Sequence, residues 1–327
     1  MSNWKAEVAR ELAKPFALGQ APLARAVLMH GPFESVFIFI THHSIGDGLS
    51  SAYAIRDVLR ALTGETLEPL PPNPAQEPLV YMSQQATHHD ANGSQQPQVP
   101  YEGRIMAFRT NDDLLPTVEA LSLTPELTRT LTERARKERT TVHGALCSAI
   151  VLAGRESSGD WNHSPVRVMS PFNLRKQLGI GEDFGLFVSA ASVPMSPGTL
   201  ADFWDMARFA KSSLTERQLL PLVAMKMEQL EQAVNSGIDV GGAAQVLAQG
   251  FSCEVLLSNL GRPTVQFDSG SLTLKAMSGP SVLMGFDGGQ TVGVTTANDS
   301  LCLLHTSFTP IPSLLPRVAQ ILQLACA

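Results

Sequence analysis

His42-His43-Ser44-Ile45-Gly46-Asp47-Gly48 places two imidazoles, a carboxylate and two glycines within seven consecutive residues. Neutral imidazole, with an ordinary pKa of about 6.5, can accept a proton at physiological pH. An alcohol or amine that loses its proton to such a base can attack a carbonyl carbon. Adjacent histidines can equally be packed or solvated groups, and the pair alone leaves both readings open. With one carboxylate, the segment lacks the paired acids that glycoside hydrolysis requires.

The motif takes its shape from what flanks it. Leu23 to Leu28 and Val36 to Ile40 are apolar runs separated by His30-Gly31-Pro32, which predicts an antiparallel pair. The second run is apolar on both faces and is expected to be a central strand. Alternation at its end sends His42 and His43 to opposite faces, so only one can enter a given cavity. From Leu49, Ile55, Val58, Leu59 and Leu62 fall on one helical face, with Gly64 as a stop. Gly46 and Gly48 are expected to supply unusual backbone angles between strand and helix.

Elsewhere the pattern is that of an α/β chain. Helices are expected over Trp4 to Ala13, from Thr124-Pro125 to Lys137, over Gly144 to Ala153, Leu200 to Leu219 and Ser313 to Leu324. Strands are expected over Val166 to Met169, Phe184 to Val193, Phe251 to Leu257, Ser271 to Ala276, Ser281 to Phe286, Thr291 to Ala297 and Leu301 to Phe308. Pro69 to Pro100 reads as a long surface connection, and Asp287-Gly288-Gly289 as a hairpin turn rather than a phosphate loop.

The remaining signals exclude more than they suggest. A net charge of -6 without a basic stripe argues against nucleic acid and anionic membranes as partners. Cys147, Cys253, Cys302 and Cys326 are scattered, which signals neither a zinc site nor a disulfide framework and fits a reducing cytoplasm. No signal peptide or membrane-spanning run is read, and no metal site is assigned. His88-His89-Asp90 reads as a solvated loop, Asp183-Phe184-Gly185 as a chance match to other motifs, and His143 as a hydrogen-bonded core histidine. Neither a Gly-x-Ser-x-Gly elbow nor a His-Glu-x-x-His helix is present.

The segment from Phe16 to Leu62 resembles the HHxxxDG region of the coenzyme A-dependent acyltransferase superfamily, which includes peptide-synthetase condensation domains, alcohol acetyltransferases and polyketide-associated diesterifying acyltransferases. The resemblance continues through Thr140-Thr141-Val142-His143-Gly144-Ala145-Leu146, Ser170-Pro171-Phe172-Asn173-Leu174-Arg175 and Ser258-Asn259-Leu260-Gly261. It implies an α/β fold with mixed sheets and two chloramphenicol-acetyltransferase-like lobes, residues 1–115 and 116–327. Only 41 residues precede His42, so the first lobe is expected to be abbreviated, with self-association as a means of covering it.

The resemblance also implies roles. His43 is the base, His42 and Gly48 are structural members of the motif, and Asp47 turns away from the channel to pair with Arg175. Ser258 and Asn259 either stabilise an oxyanion or merely form a turn. The implied reaction moves an acyl group from a coenzyme A or carrier-protein thioester to a hydroxyl or amine acceptor, ester formation being slightly favoured. No tightly bound cofactor is implied; the acyl thioester, on coenzyme A or phosphopantetheine, is a co-substrate, and an acyl carrier protein is a candidate partner. The competing expectation is a non-catalytic module that docks a carrier protein or synthase.

Overall fold

The computed structural model describes residues 3–17, 19–87, 105–109, 113–198, 202–265, 268–269 and 272–327. The chain opens with α1 (Trp4–Ala13), then the antiparallel pair β1 (Ala24–His30) and β2 (Ser35–Thr41), then α2 (Gly48–Leu62) and α3 (Gln76–Thr87). Next come β3 (Thr117–Ser122), α4 (Pro125–Lys137), α5 (Val142–Ser157), the short α6 (Asp160–His163), β4 (Val166–Asn173), the short α7 (Arg175–Leu178) and β5 (Val188–Met195). Three helices follow, α8 (Phe203–Arg217), α9 (Leu220–Asn235) and α10 (Val240–Phe251), before β6 (Val255–Asn259). The small pair β7 (Asp268–Ser269) and β8 (Leu272–Thr273), the hairpin β9 (Gln290–Ala297) and β10 (Ser300–Ser307), and α11 (Leu314–Cys326) complete the described chain.

Six strands form one mixed sheet in the order β3-β10-β9-β6-β4-β5, with parallel pairings at β4–β6 and β6–β9. The expected α/β class with mixed sheets is therefore the one observed. Period-two alternation determines which side chains face the helices. Val166 and Val168, Ala191 and Val193, Val255 and Leu257, Val292 and Val294, and Leu301 and Leu303 all enter the main core. There they meet α4, α5, α8 and α11, while Met169 and Leu256 turn to the opposite face. Thr124 and Thr141 cap α4 and α5 by accepting from Leu127 N and Gly144 N. From the far end of the chain, α1 packs Ala9 against Val118 of β3 and Leu304 of β10.

Two positions in the sheet carry direct consequences. A Cβ at Gly293 of β9 would lie 1.8 Å from the Pro280 carbonyl oxygen, which belongs to backbone and cannot swing aside. Gly293→Ala is expected to cost about 3 kcal/mol in chemical denaturation, near the upper end of ordinary overpacking. His305 of β10 is 1% exposed and donates Nε2–H to Gln290 Oε1 at 2.9 Å. Burial lowers its pKa from 6.5 to about 4. Between these values only the unfolded chain takes up the proton, so stability is complete above about pH 6.5 and falls as pH drops towards 4, by up to about 3 kcal/mol. Denaturation midpoints at pH 7.5 and 4.5 should differ less in His305→Gln than in the parent chain; an unchanged difference would exclude His305 as a source.

Several expectations need correction. Among the described residues β2 pairs with β1 alone, and Val36 to Ile40 are half-exposed rather than central. Two-sided apolarity reports hydrophobic side chains, not the presence of a second neighbour. The connection expected over Pro69 to Pro100 contains α3, whose Val80 is buried against Leu174, Val223 and Ala224. Residues 281–286 are not a strand; Phe286 makes a single bridge to Phe108, and the Val282 carbonyl accepts from Thr291 Oγ1. The strand expected over Ser271 to Ala276 is confined to Leu272–Thr273 among the described residues. Gly288 does turn at φ +76°, but between the Phe286 bridge and β9 rather than between two sheet strands. The segment Phe184 to Val193 enters the sheet only at Val188, so Phe184 to Phe187 form a loop. His88-His89-Asp90 lies outside the described residues.

Candidate active site

The hydrogen bonds of the motif separate its two histidines. β2 ends at Thr41, so His42 and His43 lie on the following turn, and strand alternation does not govern their directions. His42 Nδ1 accepts from Ser44 N at 3.2 Å and meets Ser44 Oγ at 2.7 Å, while Phe16 packs edge-on against its ring. Having accepted at Nδ1, neutral His42 carries its proton on Nε2. His43 is the reverse: its Nδ1 faces the Gly46 carbonyl oxygen at 3.0 Å. A carbonyl can only accept, so His43 donates Nδ1–H, and the neutral ring then carries its lone pair on Nε2. The ring is exposed, leaving that nitrogen accessible.

The carboxylate four residues further on is locked inward. Asp47 is the N-cap of α2: Oδ1 accepts from Ser50 N at 2.9 Å and lies 3.0 Å from Ser50 Oγ. Oδ2 accepts from Arg175 Nη1 at 2.7 Å and from Phe187 N at 3.0 Å. Both oxygens are thus engaged by protein. Asp47 and Arg175 are only 5% and 3% exposed, so this is a desolvated ion pair whose members depend on one another. Arg175 Nη2 also donates to Ser50 Oγ, the Asp183 carbonyl and the Gly185 carbonyl, and its guanidinium lies 5.1 Å from the Phe187 ring.

The glycines serve contact rather than unusual angles, since neither Gly46 nor Gly48 has positive φ. A Cβ on Gly46 would lie 2.7 Å from the Phe184 ring, and one on Gly48 would lie 2.9 Å from Leu260 and 3.2 Å from Pro280. The turn is therefore clasped between the 183–187 loop and the segment after β6. Ser258 and Asn259 end that strand, and Asn259 Oδ1 accepts from Gly261 N at 2.8 Å.

A cavity of about 340 Å³ opens beside Asn259. His143, Ser170, Asn173 and Gln218 supply its other polar side chains, with Phe172 and Leu260 among the apolar ones. His43 is not among its lining residues. Leu260 links the two places, touching the motif through Gly48 and the cavity through its own wall. His143 Nε2 lies 2.7 Å from Ser170 Oγ, and burial lowers the imidazole pKa to about 4, which keeps the ring neutral near pH 7.

Sequence reasoning overlooked Ser50, Asn173, Gly185 and Phe187 as partners of the motif. Asp47 is itself a helix-capping residue type, which points to Ser50 three residues on as its partner, whereas Gly185 and Phe187 act through backbone atoms that no side-chain pattern reveals. Asp183-Phe184-Gly185, discounted as a motif, turns out to lie against Arg175 and Gly46. His143 is hydrogen-bonded, as a core histidine would be, but it also faces the cavity. Among the described residues no group of three or more His, Cys, Asp or Glu could hold a metal, and no helix is long and apolar enough to cross a membrane.

Comparisons with known proteins converge on one fold. Residues 112–262 match the family model described as phthiocerol/phthiodiolone dimycocerosyl transferase C-terminus. Surfactin synthase subunit 1 of Bacillus subtilis (strain 168) is 26% identical over 230 residues, covering 66% of this chain and 6% of that protein. Bacitracin synthase 3 of Bacillus licheniformis is 43% identical over 65 residues, covering 20% of this chain and 1% of that protein. The chain thus spans a small part of the length of these curated relatives. Polyketide synthase associated protein 5 from Mycobacterium tuberculosis superposes with a TM-score of 0.57 at 14% identity, over 97% of this chain and 80% of that one. The first condensation domain of the CDA synthetase gives a TM-score of 0.62 at 15% identity, over 98% and 72%.

Proposed function

We propose that the chain is a condensation-like member of the coenzyme A-dependent acyltransferases, to which it is similar in sequence over residues 112–262 and in fold, and that it transfers an acyl group from a thioester to a hydroxyl or amine acceptor, with His43 as general base. The observation that carries this reading is the His43 Nδ1 contact with the Gly46 carbonyl, which fixes the tautomer of the neutral ring so that its Nε2 lone pair is the exposed one. The proton of the acceptor passes to Nε2, the freed oxygen or nitrogen attacks the thioester carbonyl, and the thiol leaves. Asp47 and Arg175 hold the turn, and Ser258 or Asn259 donates to the oxyanion. The thioester is carried by coenzyme A or by phosphopantetheine on a carrier protein, in the cytoplasm, and the division into lobes at residues 115 and 116 belongs to the same reading.

The test is acyl transfer by the purified chain, with a panel of acyl-coenzyme A and acyl-pantetheine donors and alcohol and amine acceptors. Free thiol and acylated product should rise in equal amounts. Thiol release without acylated product would reduce the activity to hydrolysis. One observation favours a second reading, a non-catalytic module that docks a carrier protein: His43 does not line the cavity. A folded chain that binds a carrier protein and yields no product from its acyl thioester would support that module instead.

A further inference from the structure

The cavity beside Asn259 is polar yet uncharged. None of its described lining residues is Asp, Glu, Lys or Arg, and His143 is held neutral by burial. Its volume of about 340 Å³ falls at the small end of the range for ligand pockets. Two of its amides are fixed in direction. Asn173 Oδ1 accepts from Arg175 N at 3.0 Å and Nη1 at 3.3 Å, and Asn259 Oδ1 accepts from Gly261 N at 2.8 Å. Each carbonyl end is spent on the protein, which leaves the NH2 ends as the groups offered to a ligand. Ser170 is 2% exposed and held by His143 across 2.7 Å.

A wall that offers N–H donors and no charge suits oxygen acceptors such as hydroxyl, ether, and amide or ester carbonyl. It penalises ions, because a charge entering it is desolvated without a counter-charge. An ammonium would find no carboxylate there, and a carboxylate or phosphate no cation.

We propose that this cavity is the subsite for an uncharged, oxygen-bearing part of the acyl acceptor, read by Asn173 and Asn259, with His143 as the positioning residue that sets the Ser170 hydroxyl. The assignment to the acceptor rests on the acyl-transfer reading above; the preference for neutral ligands rests on the lining alone.

The experiment is direct binding, followed by the ring resonance of His143 in the histidine-labelled full chain and assigned by its loss in His143→Asn. Three probes of similar size are titrated: N-acetylethanolamine, which is neutral, N-acetylglycine, which is anionic, and N-acetylethylenediamine, which is cationic. N-acetylethanolamine should shift the His143 resonance saturably, with the two ions at least about tenfold weaker. Gln218→Glu, at a half-exposed position, should tighten N-acetylethylenediamine about fivefold relative to N-acetylethanolamine. Equal response to all three probes, or no response to any, would overturn the proposal. His43→Ala should keep the binding, which separates the two readings. A chain that binds but transfers nothing removes the acyltransferase and leaves the subsite, whereas one that transfers without shifting His143 removes only the subsite.

Discussion

Replacing His43 by alanine is expected to lower acyl transfer by about a hundred- to ten-thousand-fold, the range spanned by loss of a general base. Folding should be untouched, because the ring is exposed and its one described hydrogen bond closes a local turn. Equal denaturation midpoints for variant and parent would establish that. Added imidazole should restore part of the rate, since a small base can occupy the space the side chain vacates. His42→Ala should cost less, because neutral His42 accepts at Nδ1 and carries its proton on the other nitrogen. If His43→Ala retained the parental rate, the assignment of the base would be wrong.

Asp47→Ala should be the most destabilising of the substitutions considered, by about 3–5 kcal/mol, because it leaves the Arg175 guanidinium buried without its counter-charge. It also strips the cap from α2 and the acceptor from Phe187 N. The diagnostic is a double-mutant cycle with Arg175→Met. The pair should be well less destabilised than the sum of the two single changes, since the second substitution removes the charge that the first exposed. Additive losses would mean that the two side chains stabilise the fold independently, against the geometry of the 2.7 Å contact.

Much of this site was legible in the sequence, and the rest was hidden for identifiable reasons. The helix after the motif carried its own signals: apolar residues at helical spacing from Ile55 to Leu62 and a stop at Gly64. The partners of Asp47 on the other side of the ion pair come instead from the 173–187 region, more than 120 residues away, and act through main-chain atoms at Gly185 and Phe187. Local pattern holds no record of such an approach. Residues 281–286 show the converse failure. Val282, Met284 and Phe286 alternate as a strand would, but their side chains settle onto Cys253, Leu256 and Ala248 while the backbone makes no ladder. Alternation announces a buried face and does not say what satisfies the main chain. Helices α9 and α10 went unassigned because their buried sides are narrow, with Val223, Ala224 and Ala248 as their buried apolar residues.

The strand order has a consequence in time. β3 is edge strand to β10, pairing Ser122 with Cys302 across 180 residues of chain. At ribosomal rates of about 5–20 residues per second, β3 is finished roughly 10–35 s before the strand it must pair with exists. Contacts of such long range also make folding slow once the whole chain is free. Through that interval β3 is an unsatisfied edge of the kind that recruits other chains. α1, synthesised before it, offers Ala9 as an apolar partner for Val118, so a side-chain face of β3 can be covered while its backbone edge still waits for β10.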